Sequence, residues 1–165
     1  MMNITVKKNR ILTIGNYKLK CSIGKSGIKK NKKEGDLATP KGVFRLGYLY
    51  YRKDRIRKIN TRLKKIVIKK NMGWCDDSRS KKYNKLIKFP FKHSAEKLFR
   101  SDNIYDLLID IKYNQKPVKR KKGSAIFLHL TSARYKPTAG CIAITKKHFL
   151  RIINQISLKT KIKII

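Results

Sequence analysis

Carboxylates are scarce in this chain: 9 Asp and Glu stand against 44 Lys and Arg, a formal charge of +35. A field of that sign attracts polyanions such as nucleic acid, anionic lipid surfaces or acidic cell-wall polymer. The lysines are spread along the whole chain among many Ile and Asn. AT-rich coding produces that pattern by itself, so the charge alone does not define a nucleic-acid face. Cysteine is scarce too. Cys21, Cys75 and Cys141 lie far apart and make no C-x-x-C pair, which argues against a zinc knuckle. An odd count leaves at least one free thiol. Nothing approaches the roughly 18 consecutive apolar residues of a membrane-spanning helix. The opening MMNITVKKNRILTIG alternates polar and apolar residues and lacks the apolar stretch, about 7–15 residues long, of a signal peptide. On that reading the protein is exported by another route or starts life in the cytoplasm. No internal repeat is visible.

What is present is enough for a fold. The chain has 165 residues, the length of one domain, and its 41% hydrophobic content excludes a disordered polybasic tail. Residues 2–23 alternate in short runs separated by a Gly-Asn-Tyr turn signal, which predicts a meander or hairpin. Residues 24–42 read as a long loop with turns at Gly35-Asp36 and Pro40-Lys41-Gly42, held by Asp36 and Thr39. Strands are expected over 43–52, 64–70, 104–114, 124–130 and 141–145, with a closing alternating strand at 159–165. The stretch NMGWCDDSRSKKYN reads as a polar loop carrying the only Trp, and 94–101 as one or two helical turns capped by Ser94. Phe149, Ile152, Ile153 and Ile156 recur at helical spacing, which predicts one main helix after Cys141. The expectation is a mostly β single domain over 1–165, with six to eight strands and one helix.

The stretch HLTSARYKPTAGCIAI carries the chemistry. Strand alternation puts Ile126, Leu128 and Leu130 on one face and Ala125, Phe127 and His129 on the other. In the next strand Ile142 and Ile144 share a face, and Cys141 and Ala143 share the opposite one. An antiparallel pairing that sets His129 opposite Cys141 gathers every aliphatic on one side and joins thiol and imidazole on the other. Directly opposed Cβ atoms stand about 4.5–5.5 Å apart, within reach of a hydrogen bond. An imidazole that takes the thiol proton makes a nucleophile. Gly140 lets the backbone turn, so that the Gly140 and Cys141 N–H groups form an oxyanion hole. The competing reading is a buried, inert Cys beside a strand-end His. His93, beside a loop, and His148, on the surface of the helix, are weaker bases on position alone.

These residues resemble a known family. GSAIFLH followed by PTAGCIAI is similar to the bacterial L,D-transpeptidase catalytic domain, the YkuD-like family. CSIGKSGI, KKEGDLATPKGVF, WCDDSRSKKYN and YDLLIDIKYN extend the resemblance, in order, across nearly the whole chain. It implies a β-sandwich-like fold with Cys141 as nucleophile at the end of a signature loop, His129 as base, and Thr138 and Gly140 in that loop. It places Trp74, Asp76 or Asp77 in the cleft wall or against His129. The chain departs from the usual signature. The gap between His129 and Thr138 is short, Ala139 replaces a second His, and Ala143 stands where Arg or Asn is usual. Arg134 or Lys136 is then the candidate partner for a substrate carboxylate, unless both are simply solvated.

The reaction the resemblance implies is acyl transfer on peptidoglycan stem peptides. Cys141 expels a terminal D-alanine, and an amine of another stem peptide resolves the thioester, giving a 3→3 cross-link or D-amino-acid exchange. Water in place of the amine gives a carboxypeptidase. The resemblance implies a place in the cell envelope or periplasm and needs no metal or cofactor. Cys75-Asp76-Asp77 hints at a metal site, but no His lies at ligand spacing, and none is expected. Two readings compete with the enzyme. One is a non-catalytic basic module binding anionic wall polymer or nucleic acid, with GYLYYRK as the only aromatic-basic platform. The other is a catalytically dead wall-binding relative. No specific nucleic-acid partner is expected, and nothing in the sequence speaks to an oligomeric state.

Overall fold

Residues 2–20 fold as the meander their alternation predicts, with β1 (Ile4–Val6), β2 (Ile11–Ile14) and β3 (Tyr17–Lys20) paired antiparallel. A two-residue Gly15-Asn16 turn joins the last two, with Gly15 at φ +52°. The computed structural model describes residues 2–165. The stretch expected as a continuous loop over 24–42 contains a parallel pair, β4 (Ile28–Lys29) and β5 (Thr39–Pro40). The Asp36 and Thr39 side chains hold it as expected. Asp36 accepts from the Lys33 and Ala38 N–H groups at 2.8 and 2.9 Å, and the Thr39 hydroxyl accepts from Gly24 N–H at 2.8 Å.

β6 (Gly42–Tyr51) organises the rest. Its first half pairs with β14 (Lys161–Ile164), the predicted closing strand. Its second half pairs with β11 (Leu107–Ile111) on one side and β7 (Lys65–Val67) on the other. The main sheet runs β13–β12–β11–β6–β14–β1–β2–β3, where β12 is Phe127–Leu130 and β13 is Ile142–Ile144. Exposed Val43 and Arg45 alternate with half-buried neighbours in the first half of β6. In the second half Leu49 and Tyr50 are both buried, because a core lies on each face there. Leu49 joins a large aliphatic core with Ile4, Leu12, Ile109, Leu128, Ile142 and Ile162. Tyr50 joins a second, smaller core with Trp74, Leu108, Phe127 and Cys141.

That second core exists because of an element the sequence hid. Met72 to Cys75, read as polar loop, is strand β8, the centre of a three-stranded sheet with β9 (Leu86–Lys88) and β10 (Ala95–Lys97). Residues 94–101 are therefore not helical. Glu96 pairs with Trp74 across the β10–β8 ladder, and tertiary pairing overrides the local capping signal. Trp74 meets Phe127 edge-to-face at 5.2 Å, joining the small sheet to the large one. The predicted helix is α1 (Lys146–Ile152), capped by the Thr145 hydroxyl, which accepts from His148 N–H at 3.4 Å; a single 3₁₀ turn, Ile153–Gln155, follows it. The architecture is mostly β, as expected, but with fourteen short strands among the described residues rather than six to eight.

Candidate active site

β12 and β13 position the two reactive side chains. They run parallel, not antiparallel: Leu128 pairs with Ile142 and His129 with Ala143. The inferred sorting of faces stands. Ile126, Leu128, Leu130, Ile142 and Ile144 fall in the aliphatic core, while Phe127 and Cys141 fall in the other. The inferred opposition does not. Cys141 lies level with Phe127, and His129 sits one pleat further on. A step of two residues along a strand and one strand across separates their Cα atoms by roughly 8 Å. Alternation fixes the face of each residue but is blind to strand direction. The loop from Thr131 to Gly140 is long enough to serve either pairing, so the side-chain pattern leaves the direction open.

That loop is clamped by the segment after β3. Ser22 and Ala143 exchange both backbone hydrogen bonds, at 2.7 and 3.0 Å. Thr138 N–H donates to Ile23 O at 3.0 Å, and Lys25 N–H donates to Thr138 O at 2.9 Å. Residues 22–25 thus cover the free edge of β13 and hold the loop that brings Cys141 to a cleft of about 630 Å³. Gly140 holds φ +141°, and a Cβ there would stand 2.8 Å from Ala38 O, so only glycine fits without strain.

Cys141 is buried at the cleft floor, and its thiol is already engaged. It donates to Ala125 O at 3.2 Å and accepts from Phe127 N–H at 3.3 Å. Ala125 itself sits at φ +52°, a conformation that costs a non-glycine residue about 1–2 kcal/mol. Burial pushes the Cys141 thiol up to about 12, helped by the Glu96 charge and opposed by the Phe127 N–H and Lys32. Burial depresses His129 to about 4, even though its hydrogen bond to Leu130 O favours the charged ring. That contact, at 2.8 Å, runs from Nδ1 to a carbonyl that can only accept. It places the ring proton on Nδ1 and leaves the lone pair on Nε2. In the resting state both groups are neutral, and the thiol's partners are backbone atoms rather than the imidazole.

An aromatic chain backs the pair. Tyr105 meets His129 edge-to-face at 5.2 Å and Phe127 at 5.9 Å, and Trp74 closes the row behind Phe127. The Tyr105 hydroxyl donates to Glu96 Oε1 at 2.6 Å. Burial raises the Glu96 carboxyl, with the charges of Asp76 and Asp102 adding to the effect.

The structure gathers Cys141, His129, Thr138, Lys136 and Asp76 around one cleft. Trp74 stands behind Phe127, its indole N–H given to Asn84 Oδ1 at 2.9 Å. Asp77 faces away, bonded to Arg79 at 2.9 Å and to His93 at 3.2 Å, so it does not orient His129. Arg134 is exposed on the loop and outside the cleft wall. The Gly140 N–H, one of the two inferred oxyanion donors, is given to the Thr138 hydroxyl at 3.1 Å; that hydroxyl donates in turn to Cys141 O at 2.6 Å. Lys32, Glu96, Tyr105 and Asn84 were not singled out from sequence. Asn84 has the clearest retrospective signal, an Asn at φ +56° whose amide joins four backbone or side-chain groups. Among the described residues no cluster of His, Cys, Asp or Glu has the makeup of a metal site.

Comparison with known proteins gives this geometry its context. An L,D-transpeptidase from Mycobacterium smegmatis superposes with a TM-score of 0.50 at 10% identity, over 99% of this chain and 58% of that one. A point mutant of the helical cell shape determining protein Pgp2 of Campylobacter jejuni has a TM-score of 0.50 at 18% identity, over 99% of this chain and 46% of its own. Bd1075 of Bdellovibrio bacteriovorus gives 0.50 at 18%, over 99% and 47%. At these identities the likeness is one of fold, and the chain spans about half the length of the proteins it matches. No curated protein matches the sequence. The YkuD family pattern, which describes the L,D-transpeptidase catalytic domain, matches residues 3–164, and the chain belongs to that family.

Proposed function

We propose that the protein is a cysteine acyltransferase that opens a terminal L,D-peptide bond in peptidoglycan stem peptides and passes the acyl group to an amine. One observation carries the reading: within a domain of this family, Cys141 is the cysteine set at the floor of a cleft shared with His129. Cys21 and Cys75 are also buried, and neither lines that cleft.

In this reading substrate entry starts the chemistry. The thiol leaves Ala125 O and gives its proton to His129 Nε2, and the sulfur attacks the carbonyl before the terminal D-residue. The C–N bond breaks, and His129 returns the proton to the departing amine. An acceptor amine then attacks the thioester, loses a proton to His129 and releases Cys141, which is reprotonated. Phe127 N–H, now 3.3 Å from the sulfur, steadies the thiolate as it forms. Thr138 keeps Gly140 and Cys141 in place, and Lys136 and Asp76 both line the cleft. Asp76 Oδ1 is buried without a hydrogen-bond partner, which suits it to an acceptor ammonium. A cell-envelope location follows from this substrate, and the +35 charge favours residence on anionic wall polymer. No helix among the described residues is long and apolar enough to cross a membrane.

Incubation with tetrapeptide muropeptides tests the reading. Tripeptide–tetrapeptide dimers joined 3→3, absent with Cys141→Ala, are expected. Tripeptide without dimers makes the enzyme a carboxypeptidase. Unchanged substrate, with no adduct on Cys141, refutes the reading.

A further inference from the structure

We propose that Lys32 anchors the terminal carboxylate of the peptide that acylates Cys141; the inference rests on the acyl-transfer reading and names the residue that selects the donor. With 44 basic residues, this chain has no need of a buried lysine for charge, yet Lys32 is only 4% exposed. Burying an ammonium is costly unless it is paired, and Asp36 supplies the pair. Two glycines make room for it. A Cβ on Gly123 would come within 2.8 Å of Lys32 Cε, and a Cβ on Gly140 would stand 3.5 Å from Nζ. The ammonium therefore reaches the cleft wall beside the residue that precedes the nucleophile.

Its partners leave it capable of more. Nζ donates to Asp36 Oδ1 at 2.7 Å and to Lys33 O at 3.3 Å, and an ammonium has a third donor. Asp36 shares its own charge with the Lys33 and Ala38 N–H groups, so the ion pair does not exhaust the lysine. The turn carrying Lys32 is fixed from its other side: Glu34 accepts from Ser124 Oγ at 2.8 Å and from the Tyr83 hydroxyl. The other cations of the cleft are less suited. Arg100 forks onto both oxygens of Asp102, at 2.9 and 2.6 Å, and Lys136 is exposed on the loop. A held side chain gives up little further freedom on binding.

The chemistry of the donor points the same way. In a peptide with its scissile carbonyl at Sγ, the terminal carboxylate belongs to the next residue, one Cα step of about 3.8 Å away. Nζ lies 3.5 Å from where a Gly140 Cβ would stand, beside the residue that precedes Cys141 in the chain. A donor with a free C-terminus meets the ammonium, whereas a chain continuing past that point brings a neutral amide. The site would take a peptide ending in a carboxylate one residue beyond the bond that breaks.

The test compares two donors, a tetrapeptide ending in D-alanine and the same peptide ending in D-alanine amide. The readout is release of D-alanine or its amide by the full chain. We expect wild type to favour the acid by about 10–100-fold in kcat/KM, the range of a charge-assisted hydrogen bond. Lys32→Met should bring the two donors to parity, and Lys32→Arg should restore part of the preference. Lys32→Met combined with Asp36→Asn removes the stranded carboxylate, and thermal unfolding confirms that each variant is folded. A purely structural Lys32 would lower both rates together and keep their ratio, which overturns the proposal. So does a wild type that accepts both donors equally. A wild type that releases neither refutes the acyl-transfer reading, and the anchor with it.

Discussion

Alkylation of the free protein over a range of pH examines the resting state of the nucleophile directly. With burial pushing the Cys141 thiol up to about 12, the thiolate fraction near pH 8 is on the order of 10⁻⁴, against roughly a quarter for an exposed cysteine. The thiolate is the reacting form, so iodoacetamide should modify Cys141 about 10³-fold more slowly than a free thiol. The rate should climb about tenfold per pH unit with no plateau below roughly pH 10. The thiol's bonds run to Ala125 O and Phe127 N–H, so His129→Gln should leave this profile unchanged while abolishing muropeptide turnover. Rates are read by mass spectrometry of the Cys141 peptide, separately from Cys21 and Cys75. A plateau near neutral pH that disappears in His129→Gln would mean a thiolate–imidazolium pair already formed at rest. The account of a substrate-triggered pair would then be wrong.

Three further outcomes follow from the same contacts. Asn84→Ala strands the Trp74 indole N–H and the Ala125 N–H and empties two donor bonds to the 113–114 turn; it should cost about 3–5 kcal/mol in a urea titration, and a loss below about 1 kcal/mol would contradict its role as a hub. His129 titrates at about 4 in the fold and near 6.5 when unfolded, so the unfolded chain takes up a proton that the fold refuses. Stability from this residue is whole above about pH 6.5 and falls by roughly 3 kcal/mol as pH drops to about 4; urea midpoints in His129→Gln should be flatter over that window, and parallel curves would count against burial as the cause. Gly140→Ala forces a side chain to φ +141° against Ala38 O and should cost about 1–3 kcal/mol, with a larger fractional loss of turnover, because the strain falls on the residue before the nucleophile.

Where the chain obeys one physical signal, the sequence was legible. Alternation through Ile126, Leu128, Leu130, Ile142 and Ile144 assigned those residues to the aliphatic core, and Phe127 and Cys141 to the opposite face. The spacing of Phe149 and Ile152 marked α1. Strand direction was illegible, because side-chain periodicity is the same either way. β8 was hidden because Met72-Gly73-Trp74-Cys75 has no polar partner face: all four residues are buried. Lys32 could not be found among so many lysines, and Glu96 was masked because 94–101 read as helical turns rather than a strand. Burial distinguishes Lys32 and is decided by Gly123 and Gly140, far away in sequence; half-buried Glu96 is distinguished by its bond to Tyr105.

The parallel course of β12 and β13 has a consequence for how the protein can be divided. A hairpin cut at its turn yields two strands that still face each other as simple neighbours. Here a cut near Ala133 would release a C-terminal piece carrying β13, α1 and β14. In the intact sheet β13 lies at one end, while β14 sits in the interior between β6 and β1, with four and three residue pairs respectively. That piece would re-enter the sheet at two separate places. One fragment would bear His129 and the other Cys141, so neither could act alone, and recovered turnover on mixing would measure the docking of a strand into the middle of a sheet.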